Sequence, residues 1–301
     1  PGAGAARRVR ITKGDARSTV QRPAWLDLVV VDLPSDAPGS RGRLHLLVGL
    51  FPNEAYTSSV RDVPLVRRTA DAVLARSGVP ADSHSGKQLL DVLETYPRDE
   101  LLQVDVDELL PVALAVLHLR ERRQTRLFLR RDPFGRFFSA LVYLPRDRYT
   151  TQVRLTMQRL LLEHLGGTYV EFTVRSSESV LTRLHFIVRV PVSRRGGPSL
   201  PDVDVPALEE ALAAAARSWT DDLADALVAR HGSDAPRLLA RVADAFPAAY
   251  QEDFPAQVAV EDLVRLDRLA PGGLDLRLRA PAGPEGERRL TVYRVGERLL
   301  L

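Results

Sequence analysis

Apolar residues fall on every second position in two stretches near the middle of the chain. TYVEFTV (168–174) sets Val170, Phe172 and Val174 on one side and Tyr169, Glu171 and Thr173 on the other. RLHFIVRV (183–190) repeats the pattern with Leu184, Phe186, Val188 and Val190. A period of two is that of a strand with one buried face. Upstream, TRLFLRR (125–131) and FFSALVYL (137–144) flank the turn sequence Asp132-Pro133-Phe134-Gly135, which predicts a hairpin. Between the two strand pairs the period lengthens. Val153, Met157, Leu160, Leu161 and His164 lie at helical spacing from about residue 150, and Gly166-Gly167 ends the run. A long helix is predicted next, with Pro206 at its start and Glu209 and Glu210 in its first turn. Leu208, Leu212, Ala215, Trp219, Leu223 and Ala226 form its buried face. The order over 122–232 is strand–strand–helix–strand–strand–helix. It predicts an α+β fold of the ferredoxin-like kind, an antiparallel sheet with two helices on one face.

On the N-terminal side, residues 7–50 read as extended. Val29, Val30 and Val31 follow Trp25 and Leu28, RLHLLVGL (43–50) is a second β-rich run, and PSDAPGS (34–40) between them predicts a hairpin turn. Residues 61–121 read as helical. Asp62 is the expected cap of a helix with Pro64 near its first turn and Val66, Ala70, Val73 and Leu74 on one face, stopped by Gly78 and Pro80. Ser85 is the expected cap of a second helix carrying Leu89, Leu90 and Leu93, ended by Pro97. Asp107 is expected to cap a third, with Pro111 in its first turn, where no intrahelical donor is lost. Residues 233–270 read as further helix, broken at Phe246-Pro247 and Phe254-Pro255. GLDLRLRA (273–280) and RRLTVYRV (288–295) predict a last hairpin around AGPEGE. The expected divisions are 1–60, 61–121, 122–232, 233–270 and 271–301. The final hairpin reads as the start of a further module that is truncated, or that borrows its covering helix from the rest of the molecule.

Composition narrows the function classes. The 301 residues are 45% hydrophobic and 27% charged, a soluble globular balance, and two or three units are expected at this length. No apolar run approaches a membrane span, and PGAGAARRVR lacks the apolar core of a secretory signal. With Met157 the only methionine, the chain reads as a piece of something longer, and a cytoplasmic home is expected. There is no cysteine, so thiolate chemistry and disulfides are excluded. The pI is about 9.4, yet the net charge is only +3 and the arginines alternate with acids, as in VEDLVRLDRL. A nucleic-acid surface concentrates its positive charge, so a solvated mixed surface is expected and no nucleic-acid partner.

Candidate chemistry is sparse. No GxGxxG occurs, so no dinucleotide cradle is visible. Lys13 and Lys87 are the only lysines, lie in no glycine-rich context, and are expected on the surface. His84-Ser85-Gly86-Lys87 resembles a phosphate loop only superficially, because Gly78 lies eight residues before Gly86. The six histidines are scattered and form no i, i+4 ligand pair. No catalytic, cofactor or metal residue is therefore assigned. The most interesting segment joins a strand to a helix: Arg146, Asp147, Arg148, Tyr149, Thr150 and Thr151 after Leu144-Pro145. Leu144 is expected to anchor inward and strand pairing to stop at Pro145. Thr150 or Asp147 could cap the helix, and free N–H groups beside Arg146 and Arg148 would suit a carboxylate or phosphate. The competing reading is that Arg146 and Asp147 pair with each other or with a neighbouring domain.

Long irregular strings of the chain resemble the large NAD-dependent glutamate dehydrogenases of bacteria. They are GLFPNEAYTSSVRDVPLVRRTADAVLARSGVPADSHSGKQLLDVLETYPRDELLQ (49–103), RRDPFGRFFSALVYLPRDRYTTQVR (130–154) and ITKGDARSTVQRPAWLDLV (11–29). SWTDDLADAL (218–227) and AFPAAYQEDF (245–254) belong with them. The resemblance implies a far longer polypeptide whose N-terminal region carries ACT-like modules, which are ferredoxin-like, ahead of the catalytic domain. One complete ACT-like module would occupy about 122–232, with the end of a module before it and the first hairpin of another after it. The implied role is regulatory and non-catalytic, with NAD belonging to the parent enzyme. The implied partners are the other domains and subunits, together with an amino-acid or nucleotide effector. The alternatives are a plain oligomerisation scaffold and, further off, an arginine-rich nucleic-acid binder.

Overall fold

The computed structural model describes residues 9–20, 22–33, 42–122, 124–176, 180–191, 200–242, 244–279 and 288–296. The chain divides into two compact units, Pro1–Ala215 and Ala216–Leu301. The first opens with β1 (Val9–Arg17), β2 (Trp25–Leu33) and β3 (Arg43–Gly49), an antiparallel sheet in that order with Val31 opposite both Val9 and His45. The expected 34–40 turn lies outside the described residues. Five helices follow: α1 (Glu54–Thr57), α2 (Pro64–Arg76), α3 (His84–Thr95), α4 (Arg98–Gln103) and α5 (Val106–Arg122).

Three of the expected helix starts are corrected. Val63, not Asp62, is the N-cap of α2, and Pro64 at the first position removes a donor that would otherwise need a partner. Ser83, not Ser85, caps α3, its hydroxyl accepting the Gly86 N–H at 3.0 Å. α5 starts at Val106, so Asp107 lies within its first turn and Pro111 is interior, leaving the Asp107 carbonyl without its intrahelical donor. The six-residue α4 after Pro97 was not expected at all.

The rest of the unit is β4 (Arg126–Arg131), β5 (Phe137–Pro145), α6 (Thr151–Leu165), β6 (Tyr169–Ser176), β7 (Leu181–Arg189) and α7 (Val205–Ala215). The strands form an antiparallel sheet in the order β4-β5-β7-β6. β5 and β6 both run antiparallel to β7, so they are parallel to each other, and α6 is the crossover between them. Moving the first strand to the end of the chain order turns ββαββα into βαββαβ, the ferredoxin-like order. The fold class is therefore the expected α+β sandwich. Thr150 caps α6 by accepting the Val153 N–H at 3.1 Å, and Gly166 closes it at φ 62°, a left-handed conformation that glycine adopts without strain. The inward residues are Met157, Leu161 and Leu165, while His164 faces out.

One expectation about the layers is overturned. The sheet is covered on both faces, not one. α6 and α7 cover the face of Phe138, Ala140, Val142, Phe186 and Val188. The opposite face, with Leu141 and Tyr143, shares a core with Ile11 of β1 and with Val66, Leu89, Leu93, Leu101 and Leu109 of the helices. FFSALVYLP is accordingly buried at all nine positions. Such a strand is apolar almost throughout instead of alternating.

The single long helix after β7 is also corrected. α7 ends at Ala215 and α8 (Trp219–His231) starts afresh, because Ser218 and Asp221 form a reciprocal capping box. Leu208 and Leu212 are buried in the first unit, Leu223 and Leu227 in the second. The second unit continues with α9 (Ala235–Val242), α10 (Ala248–Asp253), α11 (Ala256–Asp267), β8 (Leu274–Arg279) and β9 (Arg289–Arg294). Its core sets Leu223 and Leu227 against Ala256, Ala259 and Val260, with Trp219, Phe246 and Tyr250 beside them. Buried Asp262 accepts the Tyr250 hydroxyl at 2.6 Å and the Tyr293 hydroxyl at 2.7 Å, tying β9 to α11. The hairpin turns its polar face to α11 and exposes Leu274, Leu276, Leu278 and Leu290.

Candidate functional site

The loop singled out from sequence sits at one corner of the four-stranded sheet. Leu144 is fully buried, as expected, and Pro145 is the last residue of β5, opposite Leu181. Pairing does not stop there: the Arg146 N–H donates to the Val180 carbonyl at 2.9 Å. Arg146–Arg148 is a single 3₁₀ turn closed by the Tyr149 N–H on the Arg146 carbonyl at 3.3 Å. Thr150 then caps α6 and Thr151 begins it. Arg146, Asp147, Thr150 and Thr151 are exposed, Arg148 and Tyr149 half-buried. None of Arg146, Asp147 and Arg148 is without a partner.

A larger polar constellation, not anticipated, lies inside the first unit. Glu100 of α4 takes two bonds from Arg130 of β4, Nε to Oε2 at 2.7 Å and Nη2 to Oε1 at 2.8 Å. Arg130 Nη2 also donates to Gln103 at 3.1 Å. His185 Nε2 on β7 lies 3.7 Å from Glu100 Oε1 and 3.0 Å from the Ser139 hydroxyl on β5. Burial would raise the Glu100 carboxyl, but the Arg130 charge and the hydrogen bonds from Arg130 and His185 outweigh it and hold it well below the usual carboxylate range. Serine and carboxylate meet the same imidazole nitrogen, so His185 cannot relay a proton between them as in a nucleophilic triad. The sequence signal was there to read: Arg130, Ser139 and His185 are polar residues within otherwise apolar strands.

A second cluster staples the two sheets of this unit together. The guanidinium carbons of Arg189 and Arg17 lie 3.5 and 4.8 Å from the Trp25 ring centre. Trp25 Nε1 donates to Glu171 at 2.6 Å, and Glu171 also pairs with Arg17. Arg189 reaches Asp15 at 3.2 Å, and Arg136 reaches Asp132 at 3.1 Å and the Thr12 hydroxyl at 2.9 Å. These arginines are spent on acids within the unit and form no open basic stripe.

Lys13 departs from expectation. Its side chain is only 14% exposed and pairs with Asp27 at 2.7 Å and Asp99 at 2.9 Å. Burial would lower its pKa, yet Asp99, Asp27 and Tyr56 raise it. Lys87 is exposed, as expected. Among the described residues no three His, Asp or Glu side chains are grouped to hold a metal, and no helix is long and apolar enough to cross a membrane.

The fold and its surroundings define a protein built on an ACT-type ferredoxin-like module flanked by helical segments. The family models agree in order along the chain. Residues 126–220 match the glutamate dehydrogenase ACT2 domain, residues 63–122 its helical motif 1, and residues 226–269 its helical motif 2. The chain is 42% identical over 261 residues to the NAD-specific glutamate dehydrogenase of Halomonas elongata, covering 86% of this chain and 16% of that protein. The Pseudomonas aeruginosa NAD-specific glutamate dehydrogenase is 43% identical over 83% of this chain and 15% of its own length. The Mycobacterium tuberculosis one is 39% identical over 77% and 15%. The chain thus carries the ACT2 domain and both helical motifs of glutamate dehydrogenases, and it spans about 15–16% of the length of these relatives.

Proposed function

We propose that this chain is a regulatory and assembly segment from the N-terminal part of an NAD-dependent glutamate dehydrogenase and contributes no catalytic group. The parent reaction is oxidation of L-glutamate by NAD and water to 2-oxoglutarate, ammonia and NADH, in the cytoplasm. The observation that carries this reading is the match of one ACT module and its two flanking helical motifs within a small fraction of relatives named for that activity. In this reading NAD belongs to the rest of the polypeptide.

The partners proposed are the remaining domains and other subunits, with neither membrane nor nucleic acid. The Arg146–Thr151 corner is a proposed contact for one of those domains or for an amino-acid or nucleotide effector. A scaffold without metabolite binding is the second reading. Leu44, Leu46, Leu47 and Val48 on β3 favour it, since exposed leucines along an edge strand suit burial against a partner.

The test has two arms. The purified chain, supplied with glutamate and NAD, should produce no NADH above a buffer control; production would overturn the non-catalytic assignment. In the parent enzyme, substitutions in this segment should change the response to effectors while sparing the unregulated rate. Loss of assembly with no effector response in any variant would favour the scaffold.

A further inference from the structure

β6 and β7 set two arginines face to face: Arg175 lies directly opposite Arg183 in the antiparallel pairing. Like charges in that position repel. Arg183 turns towards the helical layer, where its Nη1 donates to the Thr95 carbonyl at the end of α3. Arg98, the first residue of α4, reaches the same seam. Its Nη2 donates to the Ser58 carbonyl at 2.8 Å and lies 3.9 Å from Glu94. Arg98 Nη1 and Arg183 Nε are buried without a hydrogen-bond partner, and the Arg98 side chain is only 8% exposed. Arg175 is exposed at the mouth of the seam, and no described residue pairs with it. Glu94 is the one carboxylate that pairs with the trio among the described residues, and its oxygens already accept the Ser59 hydroxyl and the Val60 N–H. Burial, together with the Arg175 charge, lowers the pKa of both Arg98 and Arg183 against the pull of Glu94 and Tyr143.

We propose that Arg98, Arg175 and Arg183 form a binding site for a compact, doubly charged oxyanion, the phosphate group of inorganic phosphate or of a phosphomonoester. Three guanidinium groups against the single Glu94 carboxylate leave two positive charges, which a phosphate dianion balances. Its oxygens accept the orphaned Arg98 Nη1 and Arg183 Nε hydrogens, and Arg175 folds over it from the open side. Orphaned buried donors are costly, and an acceptor held between them removes that cost. A monocarboxylate supplies two oxygens and one charge and leaves the repulsion half answered. A dicarboxylate carries its charges apart, whereas the arginines are stacked across one strand pair. Arg98 belongs to the helical layer and the other two to the sheet, so an occupant ties the layers together by mass action. The binding is independent of the regulatory reading.

Calorimetric titration of the 301-residue chain at constant ionic strength tests the site, at about pH 8, where phosphate groups are doubly charged. The probes are inorganic phosphate and phenyl phosphate, with acetate and succinate as controls. At least one phosphate should bind saturably, and both controls at least about tenfold more weakly. Tighter phenyl phosphate points to a phosphomonoester as the occupant, equal or tighter inorganic phosphate to the free ion. Arg175→Gln, at an exposed position, should weaken phosphate at least about tenfold. The same change should hold or raise the melting temperature of the free protein, because it relieves the repulsion of Arg183. Failure of both phosphates to bind up to about 10 mM overturns the proposal. So does equal binding of acetate or succinate, or undiminished phosphate binding by Arg175→Gln.

Discussion

Arg130 and Glu100 form a two-point ion pair across the seam between β4 and α4, at 2.7 and 2.8 Å, with Glu100 only 3% exposed. Withdrawing two charges from water is costly, and geometry of this quality is what offsets it. The pair fixes where the helical layer sits on the sheet, since a lateral slip would break both bonds together.

Removing one partner leaves a buried charge. Arg130→Met should therefore destabilise the first unit by about 3–5 kcal/mol, whereas Glu100→Leu with Arg130→Met should recover most of that loss. Urea unfolding followed through Trp25 in a Trp219→Phe background isolates this unit. A double variant as unstable as the single one would contradict the account.

The same pair sets an acid limit. The folded-state pKa of Glu100 is depressed. Its contribution is thus complete above the ordinary carboxylate value of about 4.3 and is lost as pH falls towards the folded-state value. Between about pH 5 and about pH 3, wild type should lose stability more steeply than Glu100→Gln. Parallel slopes would refute this. At the alkaline end, burial and the Asp99 charge push the Tyr56 hydroxyl up to about 12. The neutral phenol is the form the fold favours, so its contribution fades above the unfolded value of about 10. Burial also holds the Tyr96 hydroxyl well above the usual phenol range, so ultraviolet titration should show more than one late tyrosine, and Tyr56→Phe should remove one of them.

Gly86 fills a helix position with no room for a side chain. A Cβ there would meet the Pro80 carbonyl oxygen at 2.2 Å and that of Ala81 at 2.8 Å, both backbone atoms. Gly86→Ala should cost about 1–3 kcal/mol despite its better helix propensity, because the preceding turn must shift. A thermal midpoint at or above that of wild type would show that the turn yields freely.

Arg146→Ala and Arg148→Ala separate packing from ligand binding at the sheet corner. Loss of an effector bond should weaken binding by about 1.5–3 kcal/mol with stability kept. A packing role should lower stability and leave binding alone. If neither quantity moves for any amino acid or nucleotide tried, the corner has neither job.

Several elements were legible in the residues alone because their causes are local. The alternation in 168–174 and 183–190, the Asp132–Gly135 turn and the Gly166 terminator each act within a few positions, and β4 to β7 follow from them. The break after Ala215 was also local. The Ser218-Trp219-Thr220-Asp221 capping box announces a helix start, but the continuous apolar stripe masked it. The corner loop was legible as a strand–helix junction, although Pro145 did not end the backbone pairing.

Chain order and local periodicity determined that this protein has a ferredoxin-like module, where its strands and most of its helices lie, and that its charge is mixed. Tertiary structure alone decided that both faces of the sheet are covered, that Lys13 is drawn inward between Asp27 and Asp99, and that Glu100, Arg130, Ser139 and His185 meet. Those four residues come from four elements, 85 positions apart at the extremes. No local period relates residues so distant, and a buried charge can be recognised only once the partner that offsets its desolvation is in place.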